Sequence, residues 1–192
     1  MAISLVSLWL PILVTVAALF VASSVIWMML PIHKKDYGNL GEHEGKMLDL
    51  VRSGGLKPGF YMFPYSDHSK TPPSPERAEL LKSGPFGTVC IMPGVPNMGK
   101  MLGAWVFNLT VVTVLIAYVA AATLPQGTEF MKVFQIVCTV AMLAHGGSML
   151  TDSIWKGRPW SHLPGAFFDA AVYTLLTATT FSWLWPKITL PV

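Results

Sequence analysis

The sequence has few charged residues: aspartate, glutamate, lysine and arginine make up 12% of its 192 residues. A soluble globular domain carries roughly 25% charged residues, so this chain has too few to cover a water-exposed surface. Hydrophobic residues account for 53%, which favours an integral membrane protein. The net charge is only +3, and the basic residues do not form a patch of the kind that binds nucleic acid.

Cysteines and catalytic motifs are also scarce. The two cysteines, Cys90 and Cys138, lie in a polar and an apolar stretch respectively, so we expect free thiols and no disulfide framework. The sequence contains no HExxH, CxxC or Rossmann fingerprint, and no nucleophile–base set or paired carboxylates. These absences predict a protein that is not an enzyme.

One segment comes close to a nucleotide-binding motif. Residues 94–101 read GVPNMGKM, which differs from the P-loop pattern in ending with Met101 instead of Ser or Thr. The hydroxyl at that position binds Mg²⁺ in a P-loop, and methionine offers no ligand for a hard cation. The same residues are typical of a helix entry, with Asn97 as the N-cap. We therefore predict no nucleotide binding.

Four apolar runs are long enough to cross a bilayer, which takes about 20 helical residues. Trp9 and Trp27, near the two ends of the first run, are typical of interfacial anchors. The predicted fold is an all-α integral membrane protein with four transmembrane helices at about 5–30, 101–124, 130–150 and 163–185. Its predicted divisions are helix 1 within 1–32, a cap segment at 33–100 and a three-helix bundle at 101–192.

The basic residues predict the orientation of these helices. Eleven of the thirteen lysines and arginines lie in residues 33–100 and 151–162, and basic residues concentrate in cytoplasmic loops. Both loops are therefore predicted to be cytoplasmic and both termini outside, with a bacterial plasma (inner) membrane as the expected location. Cations at or near the helix ends are expected to contact lipid headgroups: Lys34, Lys35, Lys100, Lys156 and Arg158.

The cap segment, residues 33–100, carries structural signals of its own. NLGE at 39–42 has the form of a capping box with Asn39 as the cap, and it precedes a predicted short helix. SPERAELLKSG at 74–84 combines a Ser cap, an early proline and a final glycine, which predicts a second short helix. FYMF and TVCIM are candidate strands of a short hairpin. We expect a small folded cap on the membrane face.

Two ionisable residues lie inside the predicted spans, where such residues are rare and often functional. His145 and Asp169 are expected at similar depth near the cytoplasmic ends of helices 3 and 4, and Tyr173 follows Asp169 by one helical turn. These three residues form a predicted intramembrane polar cluster, which His33 and His162 could join at the interface. One role for such a cluster is to hold helices 3 and 4 together.

Three functions are compatible with these features. The main hypothesis is a non-catalytic accessory or assembly subunit of a larger membrane complex, in contact with lipids and with other subunits or copies of itself. The second is a small oligomeric transporter or an ion- or proton-conducting protein that uses His145 and Asp169. The third is a heme- or chlorin-binding subunit, because Gly146 and Gly147 would let a flat ring approach His145 as its axial ligand.

Overall fold

The structure, a computed structural model, describes residues 3–65 and 73–188. The parts of the predicted segments that fall on residues 1–2, 66–72 and 189–192 lie outside the described residues. The protein is mostly helical, with 69% of the described residues in helices. The helices are α1 Trp9–Met29, α2 Glu44–Ser53, α3 Pro75–Ser83, α4 Met98–Thr123, α5 Phe130–Gly146, α6 Met149–Trp155 and α7 Leu163–Trp183; the strands are β1 Gly59–Phe63 and β2 Gly87–Ile91.

The four long helices form a closed bundle. Helix α1 packs on α4 and α7, and α5 also packs on both, so each helix has two neighbours. Consecutive long helices run in opposite directions, which places the cap segment and the α6–α7 connection at one end of the bundle. Fully buried apolar side chains from different helices form two clusters, one with Val133, Val137 and Phe181 and the other with Leu19 and Leu109.

Three helical segments are long and apolar enough to cross a membrane: Leu5–Met29, Met98–Thr123 and Phe130–Trp155. The third is longer than predicted, because it includes α6, which follows α5 after a break of two residues. The predicted count of four spans is not confirmed. Helix α7 has 21 residues, but Asp169 and several threonines make it more polar, and much of its surface is buried against α1 and α5.

The helix caps test the sequence signals directly. The Asn97 side chain accepts a hydrogen bond from the Lys100 backbone N–H at 3.0 Å, so the predicted N-cap of α4 is confirmed. Ser74 likewise caps α3. The predicted capping box at Asn39 is wrong, since its side chain accepts from the Gly41 N–H at 2.7 Å and α2 begins only at Glu44. Asn39 closes a local turn instead, because its short side chain reaches the backbone two residues on.

The two predicted strands do pair, in antiparallel register from Gly59 opposite Ile91 to Phe63 opposite Gly87. Helix α3 lies between them in the sequence, so the strands are not joined by a tight hairpin turn. The Thr88 hydroxyl donates to the Lys156 carbonyl oxygen at 3.3 Å. That bond ties the strand pair to the turn that follows α6.

The opposite end of the bundle is closed by the connection between α4 and α5. The Trp185 indole donates to the Pro125 carbonyl oxygen at 3.1 Å, and the Gly127 N–H donates to the Pro186 carbonyl oxygen at 2.9 Å. These bonds fasten the chain after α7 to this connection. The two ends of the bundle are therefore distinct: one is closed by the hydrogen bonds of Trp185 and Gly127, and the other carries the cap segment.

Candidate functional site

A polar cluster lies at the cap end of the bundle, where the chain leaves α1 beside the first turns of α7. A single helical turn at Pro31–His33 follows α1 and directs His33 towards α7. His33 Nε2 lies 3.2 Å from Asp169 Oδ1, and the Trp27 indole donates to Asp169 Oδ2 at 3.2 Å. Both oxygens of Asp169 are thus engaged by residues from the end of α1.

The second nitrogen of His33 faces another carboxylate. His33 Nδ1 lies 2.9 Å from Asp36 Oδ2, and the Arg158 guanidinium lies 3.8 Å from the same oxygen. Ionised carboxylates only accept hydrogen bonds, whereas a neutral imidazole donates only one. Both contacts are satisfied together when His33 is the doubly protonated imidazolium. In that state two positive groups balance the charges of Asp36 and Asp169.

This arrangement sits largely out of solvent. The side chains of His33 and Asp36 are each 6% exposed, and that of Asp169 is 14% exposed. Burial favours the neutral imidazole, but the hydrogen bonds and negative charges of Asp36 and Asp169 more than offset it. The pKa of His33 is therefore raised above its ordinary value. Arg158, 42% exposed, connects the cluster to the surface.

Packing fixes the orientation of the His33 ring. The ring lies parallel to the Trp27 indole, with centroids 4.0 Å apart and planes 3° apart, which suits a cation over an aromatic face. On the other side, a Cβ at Gly165 would come within 3.0 Å of His33 Cε1 and 3.2 Å of Nδ1. The glycine at this position of α7 leaves the space that the imidazole occupies.

About one helical turn further into the bundle, each long helix contributes one residue to an aromatic and polar layer. The Trp105 indole of α4 donates to the Ser23 hydroxyl of α1 at 3.0 Å. Tyr173 of α7 contacts Trp105, with centroids 6.5 Å apart, and the His145 ring of α5, edge-on with centroids 5.6 Å apart. His145 Nε2 is buried and has no hydrogen-bond partner among the described residues.

The residues of the predicted cluster are therefore divided between two levels. Tyr173 and His145 are in contact, but the hydrogen-bond partners of Asp169 are His33 and Trp27, and no bond between Asp169 and His145 occurs among the described residues. His145 lies level with Tyr173, one turn deeper than Asp169. The end of α1 lies beside Asp169, so Trp27 and His33 contact the carboxylate in place of His145.

Close packing beside His145 bears on the predicted flat-ring ligand. A Cβ at Gly146 would come within 2.8 Å of Met149 Cε and 3.4 Å of Ala170 Cβ. Gly146 therefore allows α5 to approach α7, and the space beside it is filled by protein side chains. A flat ring on His145 stays a prediction, and on this side of Gly146 it would have to displace Met149 and Ala170.

His162 and the five predicted lipid anchors belong to the cap end of the bundle. Most of them form no hydrogen bond or ion pair with the cluster. His162 is buried, and its Nδ1 lies 2.6 Å from the Pro159 carbonyl oxygen. Lys156 lies 2.7 Å from Asp152, and only Arg158 of the five contacts the cluster. Three further anchors are exposed at the cap end: Lys34, Lys35 and Lys100.

Trp27 and Asp36 are the site residues that the sequence patterns missed. The sequence predicts Trp27 as an interfacial anchor, and the residue is 48% exposed. Its indole N–H also donates a hydrogen bond to Asp169. Asp36 is the one acid in the stretch HKKDY, three residues after His33. That spacing on a helical turn was the available signal for the pair.

The chemistry of the cluster has to be inferred from its own contacts, since no protein family, curated protein or solved structure matches the chain. Within residues 3–65 and 73–188, no group of three or more His, Cys, Asp or Glu side chains is arranged to hold a metal ion. His33 presents both nitrogens to carboxylates. What these contacts do is join the end of α1 to the start of α7.

Proposed function

We propose that this chain is a non-catalytic accessory or assembly subunit of a larger membrane complex, and that its cap segment docks on another subunit. In this proposal the long helices anchor the protein in the bilayer. The His33–Asp169 contact fixes the base of the cap on the bundle. The cap then presents its apolar side chains to the partner.

The observation that carries the proposal is the exposure of the cap. Among the described residues between His33 and Met98, no apolar residue is buried. A two-stranded sheet is marginal at best in water without packing on other structure. A cap with so little core of its own gains stability when a partner covers it.

One part of the cap is suited to such a contact. Phe60, Met92 and Val95 are exposed by 56%, 61% and 95%. Phe60 lies near the start of β1, and Met92 and Val95 follow the end of β2 in the sequence. We call these three residues the apolar edge. Aromatic and methionine side chains are enriched at protein interfaces and charged ones are depleted at interface cores. The apolar edge fits that composition.

The test is co-purification from native membranes in mild detergent, followed by mass spectrometry. A Phe60→Ser, Val95→Ser double variant should lose the co-purifying subunit, whereas Leu48→Ser, at an exposed apolar residue of α2, should retain it. Thermal unfolding in detergent checks that all variants fold. A wild-type protein recovered alone, or a partner retained by the double variant, would contradict the proposal.

The proposed orientation places the cap segment in the cytoplasm and both termini outside, in a bacterial plasma membrane. It is supported by the eleven cations at the cap end. Cys90 on β2 is exposed and provides a native label. A membrane-impermeant maleimide should modify Cys90 only after the membrane is opened; labelling in intact cells would reverse the orientation. Cys90→Ser is the control, since Cys138 is the other thiol.

Conduction of protons or ions is a second candidate function. Polar contacts run from the half-exposed Arg158 through Asp36 and His33 to Asp169, and Tyr173 lies one turn deeper. Flux into proteoliposomes should then fall for Asp169→Asn and stay unchanged for Asp49→Asn, whose side chain is 80% exposed. Equal flux in wild type and Asp169→Asn would remove this candidate.

A further inference from the structure

A cavity of about 620 Å³ lies beneath the other end of the strand pair, away from the apolar edge. Its walls come from the end of β1, the start of β2, α3 and the turn after α6. Met62, Phe63, Leu81 and Phe86 make the lining largely apolar, and a basic residue, Lys156, also contributes to it. We call this space the cap groove. A volume of this size is typical of small-molecule sites.

The position of the cap groove relates it to the membrane. The third apolar span ends at Trp155, one residue before Lys156. Trp155 and Trp160, on either side of this turn, are 75% and 59% exposed. Exposed tryptophans at the end of an apolar span are typical of the level of the lipid headgroups. The groove therefore begins at the level of the lipid headgroups in the leaflet at the cap end of the bundle.

Lys156 is equipped to bind an anion there. Its ammonium lies 2.7 Å from Asp152 Oδ1, and its side chain is still 55% exposed. An ammonium has three donors, so the bond to Asp152 leaves donors free. The Thr88 bond to the Lys156 backbone keeps the cation and the apolar walls in one unit.

We propose that the cap groove binds an anionic phospholipid, with part of an acyl chain against Leu81 and Phe86 and the phosphate on Lys156. An apolar metabolite would not use the cation, and free phosphate would not use the apolar walls. An amphiphile from the adjacent leaflet uses both. The proposal does not depend on the partner subunit, because the groove and the apolar edge lie at opposite ends of the strand pair.

The test is native mass spectrometry of the delipidated full-length protein, titrated with phosphatidylglycerol or phosphatidylcholine. We expect one retained phosphatidylglycerol, and weaker binding by about tenfold for Lys156→Gln, as for the loss of a hydrogen bond to a charged group. Leu81→Trp should also abolish the retained lipid by filling the groove. Lys156→Arg and the cation control Lys46→Gln, at an exposed lysine of α2, should behave as wild type.

Several results would overturn the proposal. Equal retention of phosphatidylcholine would remove the role of the cation, and unchanged binding by Leu81→Trp would place the lipid elsewhere. Competition by millimolar inorganic phosphate alone would indicate a soluble anion site. A co-purifying protein that is lost from Leu81→Trp, with no lipid retained by wild type, would assign the groove to a protein partner. Circular dichroism melting verifies that each variant is folded.

Discussion

The imidazole of His33 lies flat against the indole of Trp27, 4.0 Å between centroids, while both rings direct a nitrogen at the carboxylate of Asp169. Two residues at the end of α1 thus hold one acid of α7 from the same side. A carboxylate that is largely out of solvent costs free energy unless it is paired. This contact offsets that cost and joins the first and last helices of the bundle.

Substituting Asp169 tests the strength of that junction. Asp169→Asn removes the charge and leaves one oxygen for two donors, so we expect a loss of about 1.5–3 kcal/mol in the free energy of unfolding. Asp49→Asn is the control. Asp49 forms an exposed ion pair with Arg52, and such surface pairs contribute about 0–1 kcal/mol to stability. Denaturant unfolding in detergent measures both. Equal stability of the two variants would show that the junction contributes little.

The protonation of His33 makes this junction dependent on pH. The pKa of His33 in the folded protein is raised above its ordinary value of 6.5. Its contribution to stability is therefore fully present below pH 6.5 and is lost as the pH rises through the raised pKa. The charged groups facing it are Asp36 and Asp169, with Arg158 beyond Asp36.

The measurement is the unfolding free energy of wild type and His33→Gln across about pH 6 to pH 9, which spans the titration of histidine. We expect wild type to be the more stable protein at the acidic end and the difference to shrink as the pH rises. His43→Gln, at a histidine whose side chain is 67% exposed, should differ little from wild type throughout. A difference that grows with pH would contradict an imidazolium in the cluster.

Glycine 165 provides a steric test of the same site. A Cβ there would press on the His33 ring at 3.0 Å, so Gly165→Ala should destabilise the protein by about 1–3 kcal/mol, as overpacking does. Gly103→Ala is the matched helical control, since nothing lies within 4 Å of its Cβ position. That variant should gain about 0.5–1 kcal/mol from helix propensity. If thermal unfolding shows a stability change of the same sign for Gly165→Ala and Gly103→Ala, the steric argument is refuted.

Local signals in the sequence predicted much of this molecule. Asn97 and Ser74 cap their helices as expected, because a cap depends on residues only a few positions apart. The pairing of Asp169 was not predicted, because its partner His33 is 136 residues away and its depth depends on how α1 and α7 align. Sequence patterns predicted Asp169 near His145 from their similar depth alone. The helical turn after α1 positions His33 closer to the carboxylate.

His145 presents the opposite energetic case from Asp169. Its Nε2 is buried without a hydrogen-bond partner among the described residues, and its ring rests on the edge of Tyr173. His145→Phe keeps a ring in this place and removes a polar atom that no described protein group satisfies. We therefore expect the free energy of unfolding to stay within about 1 kcal/mol of wild type or to rise.

Ser23→Ala is the contrasting variant in the same layer. It leaves the Trp105 indole N–H without the acceptor it has at 3.0 Å, so it should cost about 1–3 kcal/mol. Both variants are compared by denaturant unfolding in the same detergent. If His145→Phe proves as costly as Ser23→Ala, then His145 Nε2 has a bonding partner beyond the described residues, and a search for a bound ligand at α5 becomes the next experiment.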